Sequence, residues 1–431
     1  CLDIHVRKYN MLKISSLLKE RLLLQNSNQT GSYQKINIIT LILTHFLWGF
    51  VNFIYLIQIQ PFLIDIYGTS HETAQILGLI LSLGTFSAVI PLLIGFLADF
   101  FGRKNLIVFG QILSIFGLIG LSSSPKGIFA VLISVITFNL GIGFYDPPLQ
   151  TIISESAPKE RQGVIYSVIY NSASIAGIIA SFFIQIEVFG DLSIFFQIGY
   201  LLLGIATIIN LFVLHDILPK RKKMNFPLIK VFKHPVSRLT AIALALDAFC
   251  WGLPFSIANG IYIILFDVDV AFIARLILVQ TIFQVLLQYP AGLTIDRFGR
   301  IFGLIIGELT GIMWILLIVV AIATPTNAPE ILIFSYALIG ISGAFWFPSV
   351  TLAKISIDTS VTASANFGTL SFIERLGWVP TAVISGVIFS LVGFIPLLFM
   401  TFVGTLIVIT MIFQIDRIEN EKRSENFLDF F

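Results

Sequence analysis

Asp247 lies about nine residues inside a long apolar run, and Trp251, Phe255 and Ala258 follow at i+4, i+8 and i+11 on one helical face. An ionisable side chain in such a run is costly and marks function by default. A carboxylate beside indole rings can hold a cation by charge and aromatic attraction, or carry a proton. Pro254 can kink the same helix and free carbonyls for a ligand. A second face runs through Thr44, Trp48, Asn52 and Tyr55, with His45 one residue round from it. These two faces are expected to oppose each other. Asp146 stands directly before Pro147 and Pro148, and Trp346 stands before Phe347 and Pro348 as the floor of a cavity. Glu374 and Arg375 are adjacent, roughly 100° apart on a helix, so they cannot simply neutralise each other. One of them is expected to pair across the bundle. Glu308 is expected to find a partner near the membrane surface. Asn171, Asn259, Gln284 and Gln288 could hydrogen-bond a small polar ligand. Each position has a structural alternative: an ion pair at the cavity mouth for Asp247, a hydrogen bond within the bundle for His45, a kinked helix for Asp146, plain packing for Trp346.

The elements that must position these groups follow from composition. The chain of 431 residues is 57% hydrophobic and 12% charged, about half the charge of ordinary globular domains. Apolar runs of about 20 residues, the length of a spanning helix, repeat from Ile36 onward. An all-α, polytopic membrane protein is expected. Twelve spans are predicted near 36–60, 74–98, 105–123, 127–151, 163–187, 192–214, 239–265, 272–294, 301–323, 329–353, 366–390 and 393–415. The long basic connection splits six from six. The expected organisation is an N-terminal segment 1–35, a first bundle 36–215, a linker 216–238, a second bundle 239–415 and a tail 416–431. With both termini cytoplasmic, 23 of the 26 Lys and Arg residues fall in cytoplasmic segments, the bias of the positive-inside rule. A multi-pass protein of the cell membrane is expected.

Composition and motifs also exclude function classes. Cys1 and Cys250 make no disulfide framework or zinc spacing. No cofactor or metal is expected. No Gly-x-Ser-x-Gly, His-Glu-x-x-His or phosphate-binding glycine loop with Lys is present, so an enzyme is not expected. A net charge of +2 gives no reason for a nucleic-acid partner. The sequence opens on Cys1, with Met11 an alternative start, and residues 1–35 lack the plan of a cleaved signal. The sequon at Asn28 is expected on the inside and is discounted.

An internal repeat joins the two sets of spans. Gly95, Asp99, Gly102 and Arg103 recur as Gly292, Asp296, Gly299 and Arg300 at a common offset of 197. Phe46-Leu-Trp48-Gly49 matches Phe249-Cys-Trp251-Gly252 at 203, and Gly143, Tyr145, Pro148 and Thr151 match Gly343, Phe345, Pro348 and Thr351 at 200. A duplicated acidic-glycine-basic turn between spans suits a transporter of two halves. With twelve spans, a basic central linker and both loops, the chain resembles the major facilitator superfamily from residue 36 onward. The first loop departs from that family's signature at Phe100, the second at Thr294 and Ile301.

The resemblance implies two pseudo-symmetric six-helix bundles rocking around a central site lined by spans 1, 4, 7 and 10. It implies gating by both loops, with Glu155 the candidate partner of Arg103. The expected function is secondary active transport of a small organic solute, neutral or cationic, by alternating access with proton coupling, in a monomer embedded in the lipid bilayer. A drug or metabolite efflux antiporter is the alternative, although Asn171-Ser-Ala-Ser-Ile-Ala-Gly177 lacks the proline of the usual antiporter motif. A non-transporting sensor on this fold is less favoured, because the tail after the last span is short. Spans 1 and 7 lack the arginines of organic-phosphate carriers.

Overall fold

Backbone polar groups in hydrocarbon have no water to bond, so each apolar run must close its hydrogen bonds within itself as a helix. The computed structural model describes residues 2–93, 101–123, 127–158, 162–186, 192–216, 235–356 and 363–428. The first set of helices is α1 (Leu2–Tyr67), α2 (His71–Leu93), α3 (Arg103–Ser122), α4 (Ile128–Ser156), α5 (Gln162–Gln185) and α6 (Leu192–Val213). The second set is α7 (Pro235–Phe255), α8 (Ala258–Phe266), α9 (Val270–Phe298), α10 (Arg300–Ala323), α11 (Ala328–Ser356), α12 (Ala363–Trp378), α13 (Thr381–Val392) and α14 (Ile395–Leu428). Among the described residues eleven segments are long and apolar enough to cross a membrane, and α2 stands where the remaining expected span lies. Spans 7 and 11 are each broken, into α7 with α8 and α12 with α13.

The two sets pack alike. In the first, α1 lies on α5 and α6, α2 on α4, and α3 on α4 and α6. In the second, α7 lies on α12 and α14, α9 on α11, and α10 on α11 and α14. The repeated Trp-Gly pair explains part of this symmetry. A Cβ at Gly49 would stand 2.5 Å from Ala173 of α5, and one at Gly252 would stand 2.7 Å from Thr381 of α13. Equivalent glycines therefore seat spans 1 and 7 against spans 5 and 11.

The duplicated loop owes its second glycine to backbone conformation. Gly102 (φ 91°, ψ 142°) and Gly299 (φ 89°, ψ 162°) precede α3 and α10 in a region open only to glycine. Both chain reversals are thereby set at the end of the molecule that carries Arg103 and Arg300, the basic end.

Broken span 7 exposes carbonyls that lipid could not satisfy, and three neighbours take them. Pro254 cannot bond back to Cys250, whose carbonyl accepts the Thr401 hydroxyl at 2.7 Å. The Leu253 carbonyl accepts Ser385 at 2.5 Å. Gln60 of α1 donates to the Ser256 carbonyl at 3.1 Å and accepts the Gly260 amide at 2.7 Å. Gln60 thus bridges the two bundles at the break.

Further seams join the bundles toward the end opposite the basic one. A Cβ at Gly78 would stand 2.3 Å from the Ala382 carbonyl oxygen, and one at Gly386 2.3 Å from that of Ala74. Ser82 accepts the Val383 amide at 2.9 Å, and Gln75 donates to Ser390 at 2.6 Å. Helices α2 and α13 therefore close this end of the molecule.

Gly102→Ala and Gly299→Ala should each destabilise the folded protein by about 1–3 kcal/mol, read as a lower melting temperature in detergent. Gly204→Ala, on a helix with nothing within 4 Å of the added methyl, should be neutral or raise it.

Candidate functional site

Away from the basic end, the charged side chains held within the spans sort into two groups. The first lies inside the second bundle. Glu308 is 1% exposed and Asp247 4%. One Glu308 oxygen accepts the Trp251 indole N–H at 3.0 Å, and the other accepts that of Trp346 at 2.9 Å. Asp247 lies beside Glu308 on the same cavity, and its Oδ1 is buried without a partner among the described residues. A small cavity of about 40 Å³ opens beside the two carboxyls, lined also by Thr240, Leu304 and Val350, with Arg300 at its basic end. Nearby, Lys354 pairs with Glu374 and donates to Ser371 at 3.2 Å. The neighbourhood holds the three carboxyls Asp247, Glu308 and Glu374 and the ammonium of Lys354.

Helix geometry explains this convergence. Asp247 and Trp251 are one turn apart on α7, so they share a face. Gly307 and Gly311 on α10 flank Glu308, and a Cβ at either would meet Trp346 at 2.9 Å or Trp251 at 2.4 Å. Those glycines let both indoles reach one carboxylate. Trp251 also meets Trp314, which stacks on Phe255 at 4.6 Å.

The second group joins the bundles at mid-span. Arg375 of α12 donates to Asp146 of α4 at 2.9 Å, with side chains 34% and 25% exposed. Of the adjacent pair, Arg375 crosses between the bundles and Glu374 stays within its own. Next to Asp146, Tyr145 is fully buried, stacks on Trp48 at 4.0 Å and shares a 3.2 Å hydrogen bond with His45 Nδ1. His45 also lies edge-on to Tyr170 at 5.3 Å. Asn52 is half-buried one turn beyond Trp48.

The expected opposition of Trp48 and Trp251 around Asp247 is replaced by a different arrangement. Trp48 packs into the first bundle against Tyr145, and the two indoles near Asp247 are those of Trp251 and Trp346, held through Glu308. Glu308 is deep in the bundle rather than paired near the membrane surface. The residues flanking it, small Gly307 and Gly311, were the signal for a close approach. Lys354 counts as a loop charge by position, yet it is buried at the end of α11.

At the basic end, Arg103 is 3% exposed and pairs with Glu155 at 2.8 Å. Arg300 pairs with Glu419 of α14. The two loop copies thus differ, because the residue matching Glu155 at the offset of 200 is Ile355. Asp296 is exposed and Gly292 has open space around it. Gly95 and Asp99 lie outside the described residues. Among the described residues no cluster of His, Cys, Asp or Glu has metal-holding geometry.

Trp251→Phe and Trp346→Phe each strip one Glu308 oxygen of its donor and should cost about 1–3 kcal/mol. Trp314→Phe removes an indole N–H that has no partner among the described residues and should cost less. Melting temperatures of the three variants check the order.

The fold has counterparts among known proteins. Among solved structures, the nucleoside transporter NupG matches at a TM-score of 0.66 and 15% identity, over 89% of this chain and 98% of that one.

The peptide transporter POT in complex with sulfate matches at a TM-score of 0.68 and 15% identity, over 88% of this chain and 95% of that one. A bacterial homolog of the human lysosomal transporter Spinster, inward-facing and unoccupied, matches at 0.66 and 16%, over 89% and 97%. At these identities the likeness shows the fold. A search of curated proteins finds no match. The Major Facilitator Superfamily model matches residues 41–266, more than half of the chain. The chain belongs to the Major Facilitator Superfamily.

Proposed function

We propose that the protein is a proton-coupled secondary transporter that moves a small organic solute across the cell membrane by alternating access. The observation that carries this reading is the Asp247–Glu308 pair, two buried carboxyls lining one cavity within the same bundle. Two neighbouring carboxyls in a buried site cannot both stay ionised without great cost, so the pair is suited to take up a proton. With Glu374 also near and Lys354 already paired to it, the neighbourhood carries an acidic excess that protons can balance. The cavity beside Asp247 reaches toward Arg300 at the basic end, which supports a proton path on that side.

The seam through Gln60, Gly78 and Gly386 supports a conformation closed at the far end. With the basic end cytoplasmic, this conformation faces inward, and both termini lie in the cytoplasm. The loops at Gly95–Arg103 and Gly292–Arg300 act as gates in the opposite conformation. The protein works as a monomer, each bundle supplying one wall of the solute path.

Reconstituted vesicles test the reading. An inward proton gradient should accelerate uptake of a transported solute, and Asp247→Asn should remove that acceleration while the protein still folds. Uptake indifferent to the gradient in the native protein would overturn proton coupling. Arg103→Gln should slow turnover while leaving half-saturation within about twofold, since it touches the gate rather than the solute.

A further inference from the structure

We propose that the Asp146–Arg375 pair is the recognition site for a zwitterionic solute of amino-acid or short-peptide type. The solute's ammonium takes Asp146 and its carboxylate takes Arg375. This inference rests on the transport reading above. The pair has three properties that suit it to a ligand. It joins opposite bundles, α4 to α12; it lies at mid-span; and both side chains are partly exposed.

Opening the molecule between its bundles must part these two charges. A separated acid and base in low dielectric are each costly to leave bare. A solute carrying both charges replaces both partners at once. A cation alone would satisfy Asp146 and strand Arg375, an anion would do the reverse, and a neutral solute would satisfy neither. The guanidinium fork suits a carboxylate, which it can bind through two parallel hydrogen bonds.

The walls fit the same ligand. Tyr170 of α5 is near both charges and stacks with Tyr166 at 6.3 Å. Its exposed ring offers an aromatic face to an ammonium group. Gln150, one turn from Asp146 on α4, lies near Tyr170, and its backbone carbonyl accepts the Tyr166 hydroxyl at 2.6 Å. The other charged groups nearby are already engaged: Glu374 with Lys354, and His45 with the Tyr145 hydroxyl.

Competition in reconstituted vesicles tests the proposal, using the common α-amino acids and dialanine alongside their methyl esters and N-acetyl derivatives, with nucleosides as a separate class. At least one free zwitterion should bind, and blocking either end should weaken it by about tenfold or more. Arg375→Gln should abolish the preference for acid over ester, and Asp146→Asn the preference for free over acetylated amine. Arg375→Lys should keep the acid preference, which separates recognition from folding. Equal competition by blocked and free forms would overturn the proposal, as would binding of no zwitterion by folded protein. Proton-driven uptake of nucleosides alone would overturn it and leave the transport reading standing. Uptake of nothing in any class would sink both.

Discussion

In hydrocarbon every buried polar group must find its partner within the protein, and the structure follows from that constraint. Span 7 can break at Pro254 only because Thr401, Ser385 and Gln60 take up the groups that the break releases. Glu308 can lie in the bundle because two indoles converge on it. Arg103 is buried against Glu155 and Lys354 against Glu374 for the same reason. Asp247 is one group that escapes the rule: it keeps one buried oxygen without a partner among the described residues, beside a cavity.

The same constraint divides the molecule by task. Contacts within each bundle are repeated between the halves and seat helix on helix through glycines such as Gly49 and Gly252. Contacts between the bundles run along α2 on α13 and α5 on α9, with backbone seams at Gly78 and Gly386, the Gln60 bridge and an ion pair at mid-span. Small residues and single hydrogen bonds make a seam that can part without exposing a large apolar core. The Asp146–Arg375 pair is the exception, since parting it bares two charges.

Much of the fold was legible in the sequence because spans are long and apolar, and the offsets of the repeat already paired Trp48-Gly49 with Trp251-Gly252. The contact of Arg103 with Glu155 was legible as well, since acid and base stand at neighbouring ends of two spans. The site was less so. Helical periodicity placed Asp247 and Trp251 on one face but could not show that Trp48 turns into its own bundle onto Tyr145. Span 9 is peripheral in this fold, so position alone puts Glu308 near the surface, whereas Gly307 and Gly311 let Trp346 and Trp251 reach it. Gln60 gave no signal, since its role depends on a break in another helix about 200 residues away.

The most direct measurement is a pair of spin-label distances across the bundles in lipid. One pair joins Glu72 and Leu391 at the far end, the other Lys104 and Arg297 at the basic end, in protein lacking Cys1. Alternating access predicts that protons or bound solute lengthen the first distance and shorten the second together. Distances that stay fixed at both ends, under every pH and ligand tried, would contradict it.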